Sequence, residues 1–151
     1  MIQLNFPEYE FIIRREGNRL IIFDPVRKKY VTLTPEEWVR QHVINYLVND
    51  KGFPVSLISA EGNIRLYKTS KRYDVVAFDR NGNPLLIVEC KSPDIKLDQN
   101  VVDQVIRYNL TLRVNYLIIT NGMRHFCLKR DTQKDFYIPL DEIPSYNELI
   151  C

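Results

Sequence analysis

The sequence predicts an α/β fold, a mixed β-sheet core flanked by helices with an N-terminal β-hairpin extension. Three observations carry this. Residues 72–93, RYDVVAFDRNGNPLLIVECKSP, read as two apolar strands joined at Asn81-Gly82, a dipeptide that tolerates the positive φ values a tight hairpin turn requires. Helix signals lie on both sides of this hairpin, over residues 34–49 and 97–112. A continuous apolar strand at 115–120 and an alternating one after it then extend the hairpin into a mixed sheet with helices packed on it.

Taken in order, residues 9–32 read as short strands broken at Glu16-Gly17-Asn18 and Asp24-Pro25. Their cations, Arg14, Arg15, Arg27, Lys28 and Lys29, suit a solvated hairpin face better than a phosphate contact. Thr34, Pro35 and Glu37 form an N-cap, a first helical position and the third member of a capping box. This helix ends near Lys51-Gly52-Phe53-Pro54. Residues 55–67 read as a strand bent at Gly62, with Glu61 assigned to structure or solvent, and Lys68, Lys71 and Arg72 form a small basic cluster. The second helix carries Val101, Val105 and Leu112 as its apolar stripe, while Gln104 and Tyr108, four apart, share a face. In the last alternating strand Phe126 and Leu128 point to one side and His125 and Lys129 to the other.

The 151 residues suit a single domain, with 1–33 as the β-rich extension, 34–130 as the core and 131–151 as a C-terminal strand and tail. A hydrophobic share of 45% and only 5 glycines argue against disorder. Lys and Arg number 21 against 19 for Asp and Glu, so the net charge of +2 announces no polyanion partner, and any basic face is local. The 3 cysteines, Cys90, Cys127 and Cys151, are odd in number and two fall in strands, which suits a reducing cytosol. No apolar run of about 18 residues is present, so a cytoplasmic location without membrane contact is expected. His42 and His125 lack a partner at zinc-ligand spacing.

The hairpin holds the chemistry. With a two- or four-residue loop centred on Asn81-Gly82, Arg80 faces Asn83 and, counting back along both strands, Asp74 faces Glu89. Directly paired side chains share a face with Cβ atoms about 4.5–5.5 Å apart. Lys91 follows Glu89 by two residues and returns to that face about 6.6 Å along. Two carboxylates and an ammonium so arranged fit hydrolysis of a phosphodiester. Hard oxygen ligands suit Mg²⁺ (or Mn²⁺), the metal polarises phosphate and activates water, and the ammonium orients that water or offsets transition-state charge. The backbone carbonyl of Cys90 is a candidate further ligand. The same register sets Arg72 opposite Lys91, which is unfavourable unless the strands splay or a phosphate lies between them.

Asp74 and Glu89-Cys90-Lys91 resemble the motif of the PD-(D/E)XK nuclease superfamily, an Asp, a spacer and Glu-x-Lys, with Tyr73 in place of the motif's proline. In order, TPEEWVRQ, KGFP, RYDVVAFD, PLLIVECKSP, QVIRYN and YLIITNG resemble the N-terminal nuclease domain of type I restriction enzyme R subunits over about residues 34–130. The resemblance implies a restriction-endonuclease-like mixed sheet and Mg²⁺-dependent cleavage of DNA. Asp74, Glu89 and Lys91 carry over directly as the catalytic set. Gln104 and Tyr108 match a Gln-x-x-x-Tyr pair of the RecB-like branch that touches the DNA backbone or orients the lysine. Glu37, with Glu36 as the lesser candidate, would complete the metal site from the first helix. Lys68, Lys71, Arg72 and Arg107 are candidate phosphate contacts. No G-x-x-x-x-G-K-[ST] loop is present, so translocation is expected of a separate helicase or translocase or of other restriction-modification subunits. A non-catalytic nucleic-acid-binding or assembly module of the same fold is the competing expectation, and a soluble domain with an unrelated ligand or partner is a third.

Overall fold

The computed structural model describes residues 1–66 and 69–150. Three short strands, β1 (Ile13–Glu16), β2 (Arg19–Asp24) and β3 (Lys29–Thr32), form an antiparallel sheet in that order. Asp24 makes the second of its turns. Its buried carboxylate accepts hydrogen bonds from the N–H groups of Val26 at 2.7 Å and Arg27 at 3.1 Å. The strands start at Ile13 rather than near residue 9, because Phe11 packs instead on the rings of Trp38 and His42, with centroids 4.9 and 4.8 Å away.

Helix α1 (Pro35–Asn45) begins where its capping signal lies, the Thr34 hydroxyl accepting from Glu37 N–H at 3.0 Å. It continues through one π-helical turn, Tyr46–Asp50, and ends before Gly52, whose φ of +73° only glycine adopts freely. The capping box is only half formed. The Glu37 carboxylate turns into the protein instead of back to the cap.

The main sheet contains β4 (Ile58–Leu66), β5 (Thr69–Phe78), β6 (Pro84–Cys90), β7 (Tyr116–Thr120), β8 (His125–Asp131) and β9 (Phe136–Leu140) in that spatial order. β6 and β7 are parallel and the other neighbours antiparallel. The parallel pair requires a crossover, which α2 (Gln99–Leu110) supplies, capped by Asp98. Strand alternation splits the apolar residues between two cores. Val75, Ala77, Leu86, Val88 and Ile118 pack with Val39, Val43 and Leu47 of α1, while Val76, Ile87, Leu117 and Ile119 pack with Val102 and Val105 of α2. A short α3 (Tyr146–Ile150) seats Tyr146 against Phe53, with ring centroids 5.4 Å apart. The mixed sheet, the three-stranded extension and the flanking helices are the fold class expected. Among the described residues no helix is long and apolar enough to cross a membrane.

Some local expectations are corrected. Residues Val55–Leu57 form a 3₁₀ turn, so β4 starts at Ile58, and its irregularity falls at Glu61, with φ +48°, rather than at Gly62. The buried face of α2 is Val102, Val105 and Asn109, with Leu112 buried just beyond it and Val101 only half-buried at its edge. The β5–β6 loop spans five residues, 79–83, closed by Asp79 N–H donating to Asn83 O at 2.8 Å, and Gly82 alone in it has a positive φ, +84°. The Asp79 carboxylate organises it by accepting from Asn81 and Asn83 N–H at 2.9 and 2.8 Å. An odd-numbered loop shifts the register, so Phe78 faces Pro84. A bulge at Leu85 shifts it back, and Ala77 faces Leu86 and Val75 faces Val88.

The N-terminal segment closes the β7–β8 turn. Asn5 N–H donates to Gly122 O at 2.8 Å, and a Cβ at Gly122, where φ is +86°, would lie 2.8 Å from Leu4 Cδ2 and 3.1 Å from Val39 Cγ2. Gly122→Ala therefore combines backbone strain with overpacking and is expected to destabilise by about 2 kcal/mol or more. Urea unfolding should show a lower midpoint at unchanged slope, whereas an unchanged midpoint would mean that Leu4 does not pack on this turn.

Candidate active site

The site forms where β5 and β6 part. Their ladder ends at Val75 and Val88, and beyond it the Asp74 side chain takes the place of a backbone partner, its Oδ2 accepting from Cys90 N–H at 2.7 Å. Lys91 N–H turns to the other neighbour, donating to Thr120 O of β7 at 2.8 Å. The strands splay, so Arg72 does not face Lys91. It pairs with Asn63 of β4 and its side chain is exposed.

Asp74 and Glu89 both line a polar cavity of about 270 Å³, together with Glu36, Arg72, Tyr73 and Tyr108. Lys91 Nζ lies 3.5 Å from Glu89 Oε1. A second cavity of about 220 Å³ shares Glu89 and Tyr108 with the first and adds Lys91, Val101, Gln104 and Val105. The spacing of Gln104 and Tyr108 on α2 thus sets both over the end of β6. Tyr108 Oη accepts from Arg72 N–H at 3.0 Å, and Lys71 Nζ stands 4.5 Å above its ring. Arg107 is exposed on α2 and lines neither cavity, which leaves it outside the group it was expected to join. Lys68 lies outside the described residues.

The first helix contributes differently from expectation. Glu37 is buried, with Oε1 accepting from Arg40 Nη1 at 2.5 Å and Oε2 from Arg27 Nη2 at 2.6 Å and Gln41 Nε2 at 3.0 Å. Its oxygens are committed to cations, and Glu36, one residue earlier, is the acid of α1 that reaches the cavity. Arg40 Nη2 donates to Asp74 Oδ1 at 3.1 Å and lies 3.6 Å from Glu36 and 3.5 Å from Glu61. Arg27 bonds Asp24 and lies 3.1 Å from Glu61, so it is part of the interior and not of a solvated face. Neither arginine stood out in the sequence as a site residue. The signal available for Arg40 was its spacing, three and four residues after Glu37 and Glu36.

These placements set the electrostatics. Burial pushes the Glu89 carboxyl up to about 7, helped by the Asp74 charge and opposed by Lys91. Glu36 is raised by burial and then by Asp74. Burial works against the charge of Arg40, but Glu37 and Asp74 outweigh it and hold the guanidinium protonated. The two described thiols are held protonated, burial raising Cys90 strongly and Cys127 to about 11.

For a divalent ion the donors on hand are hard oxygens. Asp74 and Glu89 line the cavity, and the Cys90 carbonyl, which in a strand projects the same way as its N–H, faces the Asp74 side of β6. This set suits Mg²⁺ chemically. As it stands the set is incomplete. Among the described residues no three His, Cys, Asp or Glu side chains are grouped so as to hold a metal, and both oxygens of Asp74 already have donors.

The Glu89 carboxyl offers a direct check. Its folded value lies above the ordinary 4.5, so the native state takes up a proton there. The associated stability is full below about 4.5 and is lost as pH rises through 7. A ¹³C-detected titration of Glu89 should give a midpoint near 7 that falls in Asp74→Asn. An unshifted midpoint in the ordinary carboxylate range would contradict the enclosure described.

The sequence profile of the family described as the type I restriction enzyme R protein N terminus (HSDR_N) matches residues 35–144. Among solved structures, the chain is similar to a fragment described as an HsdR subunit of a type I restriction enzyme from Vibrio vulnificus YJ016, with a TM-score of 0.53 and 21% identity. The likeness covers 78% of this chain and 25% of that one, so this chain spans about a quarter of that relative's length, and at this identity it speaks to fold alone. No curated protein matches the chain. On the extent of the profile match, the chain belongs to the family of type I restriction enzyme R protein N termini.

Proposed function

We propose that this domain is a Mg²⁺-dependent DNA endonuclease of the PD-(D/E)XK type, cutting phosphodiester bonds by attack of water. One observation carries the reading. Asp74 and Glu89 line a common cavity, and the Lys91 ammonium stands 3.5 Å from Glu89. A purely structural role gives no reason to gather two carboxylates that repel each other and any phosphate.

In this reading Asp74, Glu89 and the Cys90 carbonyl hold the metal, with Glu36 rather than Glu37 as the acid from α1. The bound ion supplies Lewis acidity toward phosphate and a water of lowered pKa. Lys91, anchored through its N–H on Thr120, orients the attacking water and offsets charge that grows on phosphate oxygens. Tyr108 and Gln104 cover the far side of Glu89 and Lys91 and contact the DNA backbone. Lys71 and Arg72, beside Tyr108, take neighbouring phosphates, with Arg107 as an outer contact and Lys68 kept as a candidate from the sequence. The family further supports association with other restriction-modification subunits. One observation favours the second reading, a module of this fold that binds or assembles without cutting: Asp74 is already ion-paired.

Supercoiled plasmid incubated with Mg²⁺ or Mn²⁺ should be nicked, with the activity abolished by chelation. Asp74→Ala and Lys91→Ala should each lower the rate by about 10²-fold or more. Nicking that persists in both variants or needs no metal contradicts the assignment, and DNA binding without nicking supports the second reading.

A further inference from the structure

We infer that Arg40 is an internal counter-ion that a divalent cation must displace from Asp74, and that it thereby sets how tightly the site binds its metal. The inference rests on the metal-dependent reading above. Arg40 Nη2 holds Asp74 Oδ1 at 3.1 Å while Cys90 N–H holds Oδ2 at 2.7 Å, so each oxygen already has a donor and the one on Oδ1 is a full positive charge. A divalent cation arriving beside Asp74 and Glu89 meets a positive charge already in place, and the two repel at close range under partial burial.

The surroundings let Arg40 leave Asp74 without losing its partners. Its other terminal nitrogen is anchored away from the cavity, on Glu37 at 2.5 Å. Glu61 Oε1, at 3.5 Å and outside the proposed ligand set, is a ready acceptor for the nitrogen released. The present pose is also imperfect, since Arg40 Nε is buried with no hydrogen-bond partner, so a complete donor set does not oppose the shift. Glu61 holds the position facing Asp74 across β4 and β5, where the ladder lacks a pair, with φ +48°. That backbone excursion accompanies a carboxylate within reach of Arg27, Arg40 and Arg72.

The test is Mn²⁺ binding by titration calorimetry, with folding followed by circular dichroism. Arg40→Met risks leaving Glu37 short of a partner, so Glu37→Gln/Arg40→Met, which removes both charges together, is measured beside it. Asp74→Asn should abolish binding, the double variant should bind roughly tenfold tighter or more, and Arg40→Lys, which keeps the charge, should stay near the parent protein. If Asp74→Asn abolishes binding but the double variant binds no tighter than the parent, the counter-ion role is overturned and the metal reading stands. If Mn²⁺ binds none of them, or binds without regard to Asp74, the metal reading falls and takes the inference with it.

Discussion

Asp24, Arg27, Glu37, Arg40 and Asp74 form a chain of alternating charges that runs from the turn after β2, through α1, to β5. Most of it is buried, and a buried charge is tolerated only when paired. Removing one member leaves its neighbour short of a partner at a cost of up to about 3–5 kcal/mol, so three pieces of the fold are made interdependent. The N-terminal sheet is therefore one end of the electrostatics of the site. Its two inward turn residues fix Glu37, Glu37 fixes Arg40, and Arg40 fixes the orientation of Asp74.

The second constraint is the separation of β5 from β6. A continued ladder would pair Asp74 and Glu89 through backbone and leave no volume between them. Here the Asp74 carboxylate substitutes for the missing carbonyl at Cys90 N–H, and β6 follows its parallel neighbour β7 through Lys91. The gap becomes a polar cavity at the end of a central strand. The helix packed on either face of the sheet then supplies its walls, Glu36 from α1 and Tyr108 from α2.

Much of this was legible because it obeys short-range rules. Period-2 alternation marked the central strands, Thr34 marked the start of the first helix, and a four-residue spacing put Gln104 and Tyr108 together. The expected register holds from Ala77–Leu86 to Val75–Val88 only because a five-residue loop is offset by a bulge at Leu85, which no residue type signals, and residues 74 and 89 themselves lie beyond the ladder. The choice between Glu36 and Glu37 was not legible either, since adjacent helical positions differ by about 100° and only tertiary packing decides which turns inward. Arg27 read as a cation of a solvated hairpin face, and Arg40 carried no reading of its own. Their burial depends on acids at positions 24, 37, 61 and 74 meeting in three dimensions, information that composition and spacing do not hold.

The central claim is that the opening between β5 and β6 receives a divalent cation. Paramagnetic broadening of backbone amide signals by substoichiometric Mn²⁺ tests it without reference to catalysis. The account predicts that Asp74, Cys90 and Lys91 lose intensity first, followed by the residues of α1 and α2 that line the cavity. Broadening centred instead on exposed acids such as Asp79 or Asp135, with residues 74 and 89–91 unaffected, would contradict it.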